Sequence, residues 1–239
     1  MKVEIWSDVV CPWCYIGKRR FEAALAGFEH RDEIEVVWRS FELDPSSVSV
    51  HGPGEGQDHA DRLAAKYGLS RADAEQAIAR TTAAAAGEGL DFQMDKALHS
   101  NTFDAHRLVH LGARHGRQGE VKDRLMRAYF TEGEPVGDRD ALLRIAVDAG
   151  LDEAEAARVL DGDDHADDVR ADEAEARSLG ITGVPFFVLD RRYGVSGAQP
   201  PEQLLAALEQ AWAERTPLTV MSAPAAGTDE ACGPDGCAI

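Results

Sequence analysis

The sequence predicts an α/β fold: a sheet whose two halves are separated by a large all-helical insertion. A β-α-β pattern opens the chain between Lys2 and Phe41. From about Asp58 to Gly180 the apolar spacing is almost entirely helical. Strand chemistry then returns at Pro185-Phe186-Phe187-Val188-Leu189, and an amphipathic helix follows. An interrupted sheet accounts for this order without a long structureless crossover. The boundaries read as 1–57 for the first part of the sheet domain, 58–180 for the insertion, 181–214 for the second part and 215–239 for a tail. With 239 residues there is material for one ample core, and no second independent domain is needed.

Each element has a local reason. Lys2 to Trp6 is a β-type run, and Pro12 to about Phe28 is helical, with proline suited to the first turn because its missing N–H was not needed there. Glu33 to Phe41 partly alternates apolar and polar residues, and a strand, helix and strand of these lengths make a parallel βαβ unit. Val48 to Asp58, with Gly52, Pro53, Gly54 and Gly56, is a loop by composition. Ser70 with Asp73 forms a capping-box-like start to a helix that Gly87 and Gly89 stop. Leu90 to Ser100 is irregular, and Asn101 can cap a helix through about His115. Glu120 to Phe130 is helical. Asp138 can cap Arg139 to Ala149, with Gly150 as the C-terminal glycine. Short helices follow from Asp152 to Leu160 and from Asp164 to Leu179. Pro185–Leu189 and Tyr193–Ser196 flank Asp190-Arg191-Arg192 as a hairpin, and Glu202 to Glu214 is the last helix.

Charge and composition exclude some partners. The 25 basic and 43 acidic residues give a net charge of −18, which argues against nucleic acid and anionic membrane surfaces. No stretch approaches the roughly 18 apolar residues of a membrane span. The N-terminus enters a strand at once, without an apolar signal region, so the expected location is the cytoplasm. Cysteine pairs there are more often catalytic, redox-sensing or metal-binding than structural. The four cysteines form two pairs, Cys11/Cys14 near one end and Cys232/Cys237 near the other.

Cys11-Pro12-Trp13-Cys14 lies where the first strand becomes the first helix. The first helical turn presents unpaired N–H groups and favours negative charge, so a thiolate on Cys11 is stabilised relative to a free cysteine. Cys14, one turn on, can attack a mixed disulfide formed at Cys11. The reading is a dithiol/disulfide redox centre rather than half of a zinc site, since no second CxxC lies nearby. Trp13 carries no charge and cannot support the thiolate as a protonated histidine would.

These residues, with Thr182-Gly183-Val184-Pro185 before the third strand and the helical insertion, resemble the thioredoxin-like superfamily and, within it, the DsbA family. Trp38-Arg39-Ser40-Phe41-Glu42-Leu43, Asn101-Thr102-Phe103-Asp104-Ala105-His106-Arg107 and Gly183-Val184-Pro185-Phe186-Phe187 further resemble the FrnE-like branch, over nearly the whole chain to Trp212. The resemblance implies thiol–disulfide exchange, with Cys11 attacking, Cys14 resolving and Pro185 in the cis form beside the reactive cysteine. Val184 would offer its backbone to an extended substrate. Pro12 and Trp13 would border that substrate, and Asn101 and His106 would lie near the redox site. The implied partners are protein or peptide dithiols and disulfides, with glutathione as a small co-substrate. No cofactor beyond the redox-active disulfide and no metal is expected, and the oligomeric state is left open. Two alternatives stand beside this: a glutathione-dependent isomerase or transferase of a small aromatic molecule, like 2-hydroxychromene-2-carboxylate isomerase, and a redox-sensing or chaperone-like binding protein.

Other residues have bland readings alongside sharper ones. Cys232-Gly233-Pro234-Asp235-Gly236-Cys237 is an auxiliary redox pair, a metal-binding hook or an idle tail; its turn brings the two sulfurs together, and about 25 flexible residues suffice to reach the active site. His99, His106 and His110 lack the carboxylate of an HExxH pattern and read as a partly buried helix face. Asp8, three residues before Cys11, is a carboxylate that raises the pKa of a nearby thiolate, a proton relay to Cys14 or a solvated turn residue. The acidic run from Asp163 to Glu175 reads as a solvated helix face.

Overall fold

The computed structural model describes residues 1–50 and 58–215. Strands β1 (Lys2–Ser7), β2 (Glu35–Ser40), β3 (Phe186–Leu189) and β4 (Tyr193–Ser196) form one sheet in the order β2-β1-β3-β4. β1 and β2 are parallel, with Ile5 opposite Trp38; β3 runs antiparallel to β1, with Ile5 opposite Phe187, and β4 antiparallel to β3. The period-2 alternation of β1 sorts its side chains onto two faces. Val3 and Ile5 enter the large core with helix α1 (Pro12–Gly27) and helix α9 (Pro201–Ala213), where Phe21 and Phe187 meet at 5.5 Å between ring centroids. Trp6 faces the other way and packs with Ala176, Ile181 and Val188 under helix α8 (Ala166–Ser178).

Between β2 and β3 the chain makes α2 (His59–Tyr67), α3 (Arg71–Gly87), α4 (Phe103–Arg114), α5 (Gln118–Arg127), α6 (Arg139–Asp148), α7 (Glu153–Asp161) and α8. Asp58, Ser70, Asp138 and Asp152 each accept backbone N–H bonds at a helix start, as their side chains suit them to do. α4 begins after Thr102, and the Asn101 side chain accepts from Phe103 N at 3.0 Å. α5 runs on into a single π-turn, Ala128–Glu132, which carries the buried Tyr129 and Phe130.

Two sequence expectations need correction. The acidic run is not a wholly solvated face. Asp172 and Glu173 of α8 are buried, because that helix lies on the sheet; Asp172 finds its partners on β2 and Glu173 on α8 itself. Asp172 accepts from Arg39 Nη1 at 2.9 Å and from Ser40 N at 2.8 Å, and Glu173 accepts from Arg170. Nor is Asp8 a solvated turn residue, since it is 1% exposed. The proposed loop residues Gly52, Pro53, Gly54 and Gly56 and the pair Cys232/Cys237 lie outside the described residues.

Candidate active site

β1 delivers Ser7 and Asp8 to the end of the sheet, and the chain turns there into α1. Cys11 is the N-cap of α1, with extended backbone (φ −89°, ψ 113°) and Pro12 directly after it. The cap has no side-chain hydrogen bond of its own to the helix. The Cys11 thiol instead donates to the Val184 carbonyl at 3.6 Å. The Val184–Pro185 peptide is cis, and Pro185 is buried against α1. Gly17 permits that approach, because a Cβ there would stand 3.0 Å from Pro185 Cγ.

Cys14 lies one turn into the helix and is 1% exposed, against 5% for Cys11. Burial pushes the Cys14 thiol well up, and the neighbouring Cys11 pushes in the same direction. The Asp8 backbone N–H and the charge on Lys122 oppose the rise.

The site stands on a buried polar floor. Asp8 Oδ2 accepts from Leu43 N at 2.8 Å, and its Oδ1 lies 3.4 Å from His106 Nε2 of α4. That second approach is outside good hydrogen-bond alignment, and both His106 ring nitrogens, Asp8 Oδ1 and Ser7 Oγ are without hydrogen-bond partners among the described residues. Desolvation is the largest influence on the Asp8 carboxyl and acts upward. His106, the Leu43 N–H and Lys122 together outweigh it and hold Asp8 below its ordinary value. Burial pushes the His106 imidazole down, and the charge on Lys122 adds to this. The pair is therefore an ionised carboxylate beside a neutral imidazole. Lys122 of α5 is fully buried, and its Nζ donates to the Ser7 carbonyl at 3.2 Å. Desolvation takes it down to about 8, against the opposing charges of Cys14, Asp8, Cys11 and Asp172.

A cleft of about 930 Å³ opens over Cys11. Pro12, Trp13, Thr182, Gly183 and Val184 form one wall, and Trp13 is 42% exposed. Leu63, Ile78, Met94 and Tyr129 give the far side apolar surface, while Arg62, Lys66, His59 and His99 supply polar groups. Burial is the main reason His59 falls to about 4, so it is uncharged at neutral pH.

The residues named from sequence thus separate into two groups. Cys11, Pro12, Trp13 and Val184 line one cleft, with Cys14 and Pro185 directly behind its wall. Asn101 does not line the cleft. Its side chain bonds Phe103 N and the Pro45 carbonyl, bracing the entry to α4. His106 is wholly buried and faces Asp8, so it underlies the site instead of meeting a substrate. Sequence reasoning missed Lys122. Its signal was present, since Lys122, Leu125, Met126 and Tyr129 recur at helical spacing on one apolar face. Among the described residues no cluster of three or more His, Cys, Asp or Glu side chains is arranged to hold a metal ion, and no helix is long and apolar enough to cross a membrane.

Residues 2–209 match the DSBA-like thioredoxin domain family. The chain belongs to that family. Its fold is the DsbA-like thioredoxin fold, a four-stranded sheet carrying a helical insertion. A probable DsbA oxidoreductase from Streptomyces coelicolor is 51% identical, with a TM-score of 0.87 over 100% of this chain and 99% of that one. An uncharacterized Bacillus subtilis protein, YwbO, is 29% identical over 188 residues, covering 78% of this chain and 86% of its own. The fold is shared more distantly with the cytosolic disulfide reductase DsbM of Pseudomonas aeruginosa, solved with GSH, at 19% identity and a TM-score of 0.61 over 89% of this chain and all (100%) of that one. It is also shared with a 2-hydroxychromene-2-carboxylate isomerase, at 12% identity and a TM-score of 0.62 over 89% and 95%.

Proposed function

We propose that this chain is a thiol–disulfide oxidoreductase that works through a mixed disulfide at Cys11. The observation that carries the reading is the placement of that one sulfur. It caps α1, meets the Val184 carbonyl at 3.6 Å and borders a cleft of about 930 Å³, with a second thiol buried one turn behind. In that reading the nucleophile is the thiolate of Cys11. It attacks one sulfur of a substrate disulfide, and the other substrate sulfur leaves as a thiolate. Cys14 then attacks Cys11, closes the Cys11–Cys14 disulfide and frees the reduced substrate. Run backwards, the same steps oxidise a substrate dithiol. Pro12 and Trp13 border the substrate, and the backbone of Val184 offers hydrogen bonds to an extended chain.

Protein and peptide disulfides are the substrates in this reading, and glutathione is the small co-substrate. The cleft has the volume of a small-ligand site, and Arg62 and Lys66 line it with positive charge suited to carboxylates. Cys232 and Cys237 form an auxiliary pair that exchanges with Cys11/Cys14, and the enzyme acts in the cytoplasm.

Catalytic insulin reduction and refolding of scrambled ribonuclease test the reading. Cys11→Ser is expected to lower both by at least about 100-fold. Full turnover in that variant would overturn the proposal, and glutathione retained by it on an affinity matrix would favour an isomerase or transferase. Cys232→Ser/Cys237→Ser is expected to slow multiple turnover while leaving one stoichiometric exchange at Cys11 intact. Unchanged multiple turnover would remove the tail pair from the cycle.

A further inference from the structure

Lys122 is an unusual residue to bury. It comes from the helical insertion, its ammonium has no exposed surface, and among the described residues it donates to a backbone carbonyl rather than to a carboxylate. A buried ammonium without a paired carboxylate carries a large desolvation cost. Its position relative to the sulfurs gives that placement a use. The carbonyl it engages belongs to Ser7, at 3.2 Å. The N–H of that same peptide unit is the Asp8 N–H, and it favours the charged form of the Cys14 thiol. One rigid peptide group therefore joins the ammonium, on its oxygen side, to the resolving sulfur, on its nitrogen side. Charge at the oxygen polarises the amide and strengthens the hydrogen bond that its N–H makes to a thiolate.

We propose that Lys122 is a positioning residue for the resolving step, and that its ammonium supports a thiolate on Cys14 through the Ser7–Asp8 peptide. The inference rests on the thiol–disulfide exchange proposed above. In that step the Cys14 thiolate attacks Sγ of Cys11 in the mixed disulfide. The Cys14–Cys11 S–S bond forms and the Cys11–substrate S–S bond breaks. The electron pair of the broken bond leaves on the substrate sulfur, which is reduced and takes up one proton, balancing the one that Cys14 gave up. The protein pair is oxidised and no further reactant is needed. Cys11 caps the helix at the edge of the cleft. Cys14 lies behind it in a dry site where burial resists the charge it must carry. The insertion supplies what the first turn cannot. The other ionisable groups bearing on the two partners are Cys11 and Asp8 at the β1–α1 turn, His106 of α4 and Asp172 of α8.

The test uses the full chain in its reduced form with 5,5′-dithiobis(2-nitrobenzoate). The first released thiolate reports attack by Cys11, and the second reports closure by Cys14. Lys122→Met, similar in length and uncharged, is expected to slow the second phase at least about 10-fold at pH 7 and to move its pH midpoint upward, with the first phase changed less than about 3-fold. Equal rates and midpoints in both proteins would overturn the inference, as would equal slowing of both phases with the pH profile unmoved. A protein that shows no first phase at all fails the thiol-exchange reading instead. Should Lys122→Met not fold, the unmodified protein carries the test by NMR titration of the Lys122 Nζ. Its midpoint is expected to fall when Cys11 and Cys14 are oxidised, because the thiolate that supports its charge is gone. A midpoint identical in the two redox states would sink the idea.

Discussion

Asp8 stays ionised where burial alone would neutralise it. A hydrogen bond from Leu43 N, the His106 ring and the charge of Lys122 together outweigh its desolvation. Glu42, one residue before Leu43, shows the opposite balance for the same chemical group. Its side chain is buried beside Glu173, and the two carboxylates share one partly exposed guanidinium, Arg170 Nη1, at 2.6 and 2.9 Å. Desolvation, with the second carboxylate adding to it, pushes Glu42 up to about 7. The folded value lies above the ordinary one, so the folded state holds an extra proton between them. The stabilisation this gives is complete below the ordinary carboxylate range and is lost as pH rises through about 7. Glu42→Gln is expected to flatten that dependence, losing about 1 kcal/mol less than the parent between pH 5 and pH 8. Urea unfolding at four pH values in that window measures it, and parallel curves for the two proteins would refute the assignment.

The β2 edge is closed by a side chain instead of a strand. Gln118, the first residue of α5, accepts from Trp38 N and donates to Trp38 O, each at 2.9 Å, as a neighbouring backbone would. The same contact ties α5, and with it Lys122 and Tyr129, to the sheet that carries Cys11. Gln118→Ala leaves two backbone groups of a largely buried residue without these partners, and a loss of about 1–3 kcal/mol is expected in urea unfolding. An unchanged midpoint would mean that solvent satisfies Trp38 equally well. α8 makes a related point about reading elements from sequence. Its charge pattern describes a surface helix, yet Asp172 meets Arg39, Ser40 N and, at 3.0 Å, His110 Nε2. Partners more than sixty residues away decided the burial of Asp172.

Across the molecule, the charge of −18 is spread over a chain in which several buried ionic groups are partnered. Glu4 at the centre of the sheet, for example, is met by both Arg39 and Arg191. The unbalanced remainder repels itself, and salt screens that repulsion more than it weakens buried pairs. The thermal midpoint is therefore expected to rise by several degrees, roughly 3–8 °C, between 10 mM and 0.5 M sodium chloride. A midpoint that fell with salt would show that surface ion pairs dominate instead. The insertion has a second consequence at this level. α4, α5 and α8 supply His106, Lys122 and Asp172, so much of the polar floor beneath the cysteines comes from outside the β-α-β and β-β-α halves.

Local chemistry was enough to place Cys11 and Cys14 at the head of a helix and to anticipate a sheet split by helices, whereas Val184–Pro185 was marked as the segment beside them by the family resemblance. Each of those depends on neighbours within a few positions: a proline after a cap, an apolar period of two or of 3.6, a glycine after a last turn. The burial of Asp8 and Asp172 was not legible in that way. In sequence they are ordinary charged or polar residues on helices and turns. Whether such a group is solvated or enclosed depends on surfaces contributed by distant segments, and an enclosed charge then takes its protonation from whatever those segments bring. The sulfurs were visible from the chain, whereas the electrostatic floor beneath them exists only once the insertion has closed over the sheet.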